Sequence, residues 1–573
     1  MFNFTLSAKN NLQENSVLSI GGGLAAYLVL LPLFVLIICA LRTPTDYLPF
    51  ENGTSWSLDN IITLYSDPIL YSKIIPDTLV FTISATFFTT IIGLLLAWLV
   101  ERTDIPYRNI LFWLILFPIM LPAPVLAMGW ILLLGPNAGW LNTMLQPLLG
   151  LTVGPINIFS MQGLIFCQTL ASVPFAFLLF TPIIRTMDAN LEEASLVSGA
   201  SSWVTFKRIT LPILLPGILA PLMLVFLLTL EQFEFPLLIG LPAHINVFSY
   251  RILWELTPPS GLPNYGIAAA ISLPFLGVGI ILLSIYNWLT KKNNRFVTVT
   301  GRSYRRHYFL LGAWKAPALV FVIFYLASAV FLPIAVLIWS SIFDFSAPSL
   351  DILHRANFDS YRLLFQNKKF WAGLINTAIV SGFSATLVTI VSFLLGYIIV
   401  RKKSWISKIL DYISFSSIGI PSVINALAVM LLYLSIPLGI YGTIWILVLA
   451  YSYRMAVTTR IVRSGLMQIQ YELEDVSSLS GASWFTTQRK IIIPLISQGL
   501  ISGFALIFIL GIREFTMPLI LYNPDSIVLS VLLLQFYEVG ESKVAAALAT
   551  VILFIVIALA FAGKFILYHK KNA

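Results

Sequence analysis

Charge is what this sequence has least of. Only 10% of its 573 residues are Asp, Glu, Lys or Arg, while 58% are hydrophobic and the mean hydropathy is +0.90. Soluble domains carry about 25% charged residues, so the deficit excludes a soluble globular protein and specifies a polytopic membrane protein. Cysteine is nearly absent. Cys39 and Cys167 both fall inside apolar runs, which excludes a disulfide framework. The four histidines, His244, His307, His354 and His569, lie in loops or tails without metal-ligand spacing, so no metal centre is expected. No G-x-x-x-x-G-K-[ST] occurs, because Gly563-Lys564 is followed by Phe565. A chain without that loop does not cradle ATP phosphates in a P-loop, and no polar catalytic constellation marks an enzyme.

What is present is a series of uncharged runs. They cover 15–41, 78–100, 109–184, 209–230, 256–290, 316–343, 370–400, 412–453, 491–512 and 544–563. A spanning helix needs about 20 apolar residues, and 109–184 and 412–453 each hold two, so the fold expected is all-α with twelve spans. The first run exceeds the roughly 7–15 apolar residues of a signal peptide and reads as a retained span. With a cytoplasmic N-terminus, the inner segments hold 25 Lys/Arg against 10 Asp/Glu and the outer ones 9 against 15. Basic residues stay inside, so both termini are expected in the cytoplasm of a bacterial cell, with the chain multi-pass in the inner membrane. The linker 291–315, with seven basic residues and no acid, reads as an anchor to anionic lipid and not as a nucleic-acid site. On this topology a cysteine at Ser303 is shielded from outside reagents and one at Asn142 is reachable.

The chain is duplicated. LEEASLVSGASSWVTFKRITLP at 191–212 returns as LEDVSSLSGASWFTTQRKIIIP at 473–494, in register at an offset of 282 through Gly217/Gly499, Phe233/Phe515 and Pro236/Pro518. Ser84-Ala85-Thr86 matches Ser384-Ala385-Thr386 at an offset of 300, so the first half carries 18 extra residues, placed in the hairpin 135–156. The division expected is a first half 1–290, the basic linker 291–315 and a second half 316–573. Each repeated segment, 188–212 and 470–494, reads as helix, break, helix. Leu191, Ala194 and Val197 recur at three-residue spacing, as do Leu473, Val476 and Leu479, which gives each short helix an apolar stripe. Glu192 and Glu193 sit where a helix dipole favours acid, and Gly199 and Gly481 suit a left-handed helix end. So short a helix is marginal alone and needs something to dock on. Two copies imply a symmetric partner.

The spacing E-A-A-x3-G-x9-I-x-L-P resembles the signature of permease subunits of ABC importers, on Glu193, Ala194, Ser195, Gly199, Ile209, Leu211 and Pro212. The second copy departs from it at Asp475, Val476, Ser477 and Ile493, while Gly481, Ile491 and Pro494 stand. The resemblance implies a coupling helix in each half. Glu192, Glu193, Ala194, Gly199, Ile209, Leu211 and Pro212, with Glu474, Asp475, Gly481, Ile491 and Pro494, would meet two copies of a separate ABC ATPase. ATP and Mg would bind there, and this chain would hold no cofactor. A periplasmic or extracellular solute-binding protein would deliver the cargo. Two six-span halves on one chain resemble the fused permeases of the ferric-iron uptake family, in stretches such as 56–68, 129–145 and 230–240. Ferric iron is the cargo that resemblance favours, with thiamine, phosphonate, polyamine or another small solute as alternatives.

Glu231 and Glu234 close the fifth span, and Arg513 and Glu514 follow the eleventh. Ionisable groups near bilayer depth mark functional sites, so these four are the candidates for the substrate path. Placed at the outer mouth, three carboxylates suit a cation, and their removal is expected to change stability little. Arg185 and Arg454 read as headgroup anchors at inner span ends. The rival class is an ion-coupled secondary transporter, which places ionisable residues inside its spans.

Overall fold

The computed structural model describes residues 2–44, 48–51, 55–152, 154–185, 192, 194–195, 197–258, 261–293, 309–343, 354–402 and 404–572. Glu193, Leu191 and Ser303 lie outside the described residues, as does the linker stretch 294–308. The described chain is helical, without a named strand. Eight helices are long and apolar enough to cross a membrane, and three further helix pairs, each bent at a short break, bring the number to as many as eleven.

Two of the bends occupy corresponding places in the two halves. Arg108–Met120 turns by 97° into Ala123–Leu134, and Trp405–Gly419 turns by 112° into Ser422–Ser435. Proline causes both. Leu121 and Ile420, each preceding a proline, are extended at ψ 134 and ψ 107, and Pro122 and Pro421 cap the helices that follow. Proline offers no N–H and pushes the residue before it out of the helical region. The third bend, 54°, falls at Pro216 between Lys207–Leu215 and Gly217–Leu230; its counterpart Trp484–Arg513 runs through.

The tenth expected span, not among these eleven, is Ile444–Tyr451 followed by Ala456–Met467. Ser384, midway along Lys368–Arg401, and Ser392, two turns nearer its Arg401 end, donate to the carbonyls of Val448 and Met455. The break at Ser452–Met455 therefore lies within the depth of a spanning helix, between its middle and its Arg401 end. Arg454 sits in that break, so it does not anchor an inner span end as expected.

The halves exchange their first spans. Ser19–Ala40 packs against the bent arm Ser422–Ser435 of the second half, where the hydroxyls of Tyr27 and Tyr433 bond. Leu332–Ile342 packs reciprocally against Ala123–Leu134, so closely that a Cβ on Gly129 would lie 2.7 Å from Pro333 Cβ. The linker's described end docks on the first half. Phe309 donates to Arg102 O at 2.8 Å, Leu311 N–H donates to Asp104, and Lys315 Nζ is 2.6 Å from Asp104 Oδ2.

The 135–156 hairpin folds into the helix Trp140–Leu149 and a return strand of chain held by Asn142. That side chain is fully buried, donating to the carbonyls of Leu134, Gly135 and Ile156 and accepting from Ile156 N–H. The expectation that position 142 is reachable is overturned. An asparagine satisfies a donor and an acceptor at once, which suits it to pinning a turn.

Candidate functional site

Both repeated segments fold as helix, left-handed glycine, helix. Gly199 has φ +85 and Gly481 φ +80. The next amide reaches back five residues in each copy, Ala200 to Ser195 O and Ala482 to Ser477 O, both at 3.1 Å, the closing bond of a Schellman end. Ser195 Oγ meets Thr205 Oγ1 at 2.8 Å, and Ser477 Oγ meets Thr487 Oγ1 at 2.8 Å. Thr205 and Thr487 hold the same register, a match the sequence pattern shows but the family signature does not include. Ser201 and Ser483 cap the second helices through Val204 and Thr486.

The acidic residues of the segments do two different jobs. Glu192 turns inward, buried against the end of Leu70–Arg102. Its carboxylate is 2.5 Å from Arg102 and accepts from Thr210 Oγ1 at 2.6 Å. Glu474 repeats this against Arg401 at 2.7 Å and Tyr397 OH at 2.8 Å. These two are anchors to the spans and do not present themselves to a partner. Asp475 and Ala194 are exposed instead. The expected apolar stripe also faces outward, with Val197 89% and Leu479 85% exposed beside Val476 and Leu473. Ile209, Leu211 and Ile491 are half-buried where the second helix enters its span, while Pro212 and Pro494 start its regular part and are exposed. Arg185 is held by Glu101 at 2.5 Å beside this face.

The second constellation lies at the far ends of the same long helices. Glu231 caps Leu211–Leu230, and Glu514 caps Ile493–Arg513. They meet at the elbows of both bent spans. Arg454 is 2.5 Å from Glu514 and donates to Ser422 Oγ at 2.8 Å, while Arg513 donates to the carbonyl of Ile119. Glu234 accepts from Gln232 and, at 3.0 Å, from Thr516 Oγ1. Thr516 is the residue that corresponds to Glu234 in the second repeat, 282 positions on. A residue that touches its own counterpart lies beside the pseudo-twofold axis.

The cluster is therefore central between the halves, and Arg454 carries it into the depth of the spans. The constellation thus reaches inward from the outer mouth where its carboxylates were expected, as far as Arg454. The expected charge is corrected, because three carboxylates face two guanidiniums, one of which the sequence reading had assigned to headgroups. Arg454 was missed because a charged residue ending an uncharged run looks like the end of a span. Among the described residues no group of three or more His, Cys, Asp or Glu is arranged to hold a metal ion.

Residues 89–295 and 388–569 each match the family described as binding-protein-dependent transport system inner membrane component. The chain is 24% identical over 535 residues to the Ferric transport system permease protein FbpB of Actinobacillus pleuropneumoniae, covering 89% of this chain and 73% of that one. It is 26% identical over 210 residues to the Molybdenum transport system permease protein ModB of Escherichia coli (strain K12), covering 36% of this chain and 88% of that one. A bacterial alginate ABC transporter structure, in complex with an alginate pentasaccharide-bound periplasmic protein, aligns over 42% of this chain and 84% of its own with 22% identity and a TM-score of 0.35. The family settles the class against an ion-coupled carrier. With one copy of the family's membrane domain in each half, the chain belongs to the binding-protein-dependent transport system inner membrane components and is a permease subunit of an ABC importer.

Proposed function

We propose that this permease conducts ferric iron along the axis between its halves. A solute-binding protein delivers the ion at the face opposite the repeated segments, and two copies of a separate ABC ATPase dock on those segments. The chain itself binds no cofactor; ATP and Mg belong to the ATPase. The excess of Lys and Arg on the face of the repeated segments supports a cytoplasmic position for both termini. It survives the move of Arg454 into the depth of the spans. The outward stripes around Val197 and Leu479 support docking, since large apolar side chains left in water at two symmetric places are covered by a partner.

The observation that carries the passage is the bond between Glu234 and its counterpart Thr516. It sets a carboxylate beside the line a solute takes when the halves part. Ferric iron is a hard cation that suits oxygen donors, and Glu231, Glu234 and Glu514 supply carboxylates. The ferric permeases among its relatives span most of the chain. Arg454 and Arg513 favour a second reading, an oxyanion cargo, and relatives matching half the chain or less are named sulfate and molybdenum permeases.

Reconstitution into proteoliposomes with the cognate ATPase and binding protein separates the two. Uptake of radioactive ferric iron that stops with vanadate supports the proposal. Uptake of molybdate or sulfate in its place overturns the cargo, and replacing Val197 and Leu479 by Asp without loss of ATPase copurification overturns the docking faces.

A further inference from the structure

The hairpin 135–156 has no equivalent in the second half, where Ile436–Thr443 makes the same connection. Its extra length is spent on a rigid, uncharged, apolar surface. Helix Trp140–Leu149 ends at Gly150, which adopts φ +66. Met144 and Leu148 lie one turn apart on one face, and Leu149 and Leu151 follow. All four are exposed, Leu148 by 79%. The surface is not a loose loop, because Asn142 pins both strands of the hairpin from within.

Three observations say what covers it. No Asp, Glu, Lys, Arg or His occurs from 109 to 184, so the hairpin brings no charge to the headgroup zone. Trp140 opens the helix against Trp339 at 5.4 Å, and Trp339 stacks on Phe343 at 4.0 Å where the span Leu332–Ile342 ends. Tryptophan at a span end marks the membrane interface. Further along the same span, Gly312–Ile342, the apolar side chains of Phe324, Phe331 and Leu332 are exposed as well. An amphipathic helix so placed lies in the interface with its apolar face sunk about 5–10 Å.

We propose that the 135–156 hairpin is a lipid-binding foot, its Met144, Leu148 and Leu151 side chains seated among the phospholipid acyl chains of the leaflet opposite the repeated segments. The foot steadies the arm Ala123–Leu134, whose other end is the elbow beside Ile119. It thereby makes the first half's bent span the more firmly held of the two.

The test is collision accessibility of a nitroxide. Cysteines are placed singly at Leu148 and at Asn137, the exposed turn before the helix, in a chain with Cys39→Ala and Cys167→Ala. The labelled permease is reconstituted alone in vesicles of phosphatidylethanolamine and phosphatidylglycerol. The expected oxygen-to-nickel-chelate collision ratio is several-fold higher at 148 than at 137. Equal ratios, or greater nickel access at 148, overturn the proposal and leave the face to a protein partner, since no such partner is present in the vesicles. In a parallel preparation that adds the ATPase and binding protein, matching binding-protein-stimulated ATP hydrolysis by both labelled chains shows that the label has not unfolded them.

Discussion

Glu234 accepts a hydrogen bond from Thr516 at 3.0 Å, and the two residues are each other's counterparts in the two repeats. The contact ties the halves at their axis, and a charged group at one position faces a neutral hydroxyl at the other. Glu234→Gln keeps an oxygen for Thr516 while removing the charge. Uptake of a cation should then fall, and binding-protein-stimulated ATP hydrolysis should persist, in the same proteoliposomes. Loss of both would place Glu234 in the contact between halves and not on the passage.

Glu514 and Arg454 should behave differently. Their ion pair is largely buried, and removing one partner of such a pair costs roughly 3–5 kcal/mol because the other charge is stranded. Glu514→Gln should lower the unfolding temperature in detergent, and adding Arg454→Gln should recover most of the loss. The opposite ordering would show that the pair is solvated.

The same logic applies to the anchor of the first repeated segment. Glu192→Ala removes a buried ion-pair partner of Arg102 and the acceptor of the Thr210 hydroxyl, so thermal stability and ATPase copurification should both drop. Replacing both members with methionine removes the stranded charge. Apolar replacement of buried pairs is often neutral or stabilising, so the double variant should be more stable than the single one in a scanning unfolding experiment.

At Gly199 an added Cβ meets nothing within 4 Å, and the same holds at Gly481. Any penalty is therefore conformational, about 1–2 kcal/mol for a left-handed residue. Valine at either position should weaken ATPase copurification, and asparagine, which tolerates that region, should be milder. Because the backbone geometry is the same in both copies, the two sites should respond alike.

The linker contact has a pH signature. The Leu311 amide, followed by the Lys315 ammonium, holds the Asp104 carboxyl below its ordinary range. A lowered folded value stabilises the docked linker above the unfolded carboxylate value of about 3.9 and is lost as pH falls through the lower folded value. The protection factor of the Leu311 amide, its exchange rate relative to the intrinsic rate at each pH, should hold from neutral pH to about pH 5 and fall below about pH 4. Asp104→Asn should abolish that acid step.

Much of this protein was legible in its sequence because the relevant physics is local. Apolar run length shows the membrane class, and the 282-residue register shows the duplication. The glycine at a fixed distance after Ser195 or Ser477 announces a left-handed helix end, since φ and ψ depend on neighbours in the chain. The elbows were readable from Pro122 and Pro421 but were passed over, because hydropathy does not register direction. What tertiary structure alone decided is where charges go. A charge is tolerated inside a span when another span supplies its partner, and Glu514 lies 60 residues from Arg454 in the chain. Glu192 likewise faces the membrane domain and not a partner because Arg102, 90 residues earlier, waits at the end of another helix. The meeting of Glu234 with Thr516 at the axis follows from how two copies of one fold pack together, and no spacing within either copy contains it.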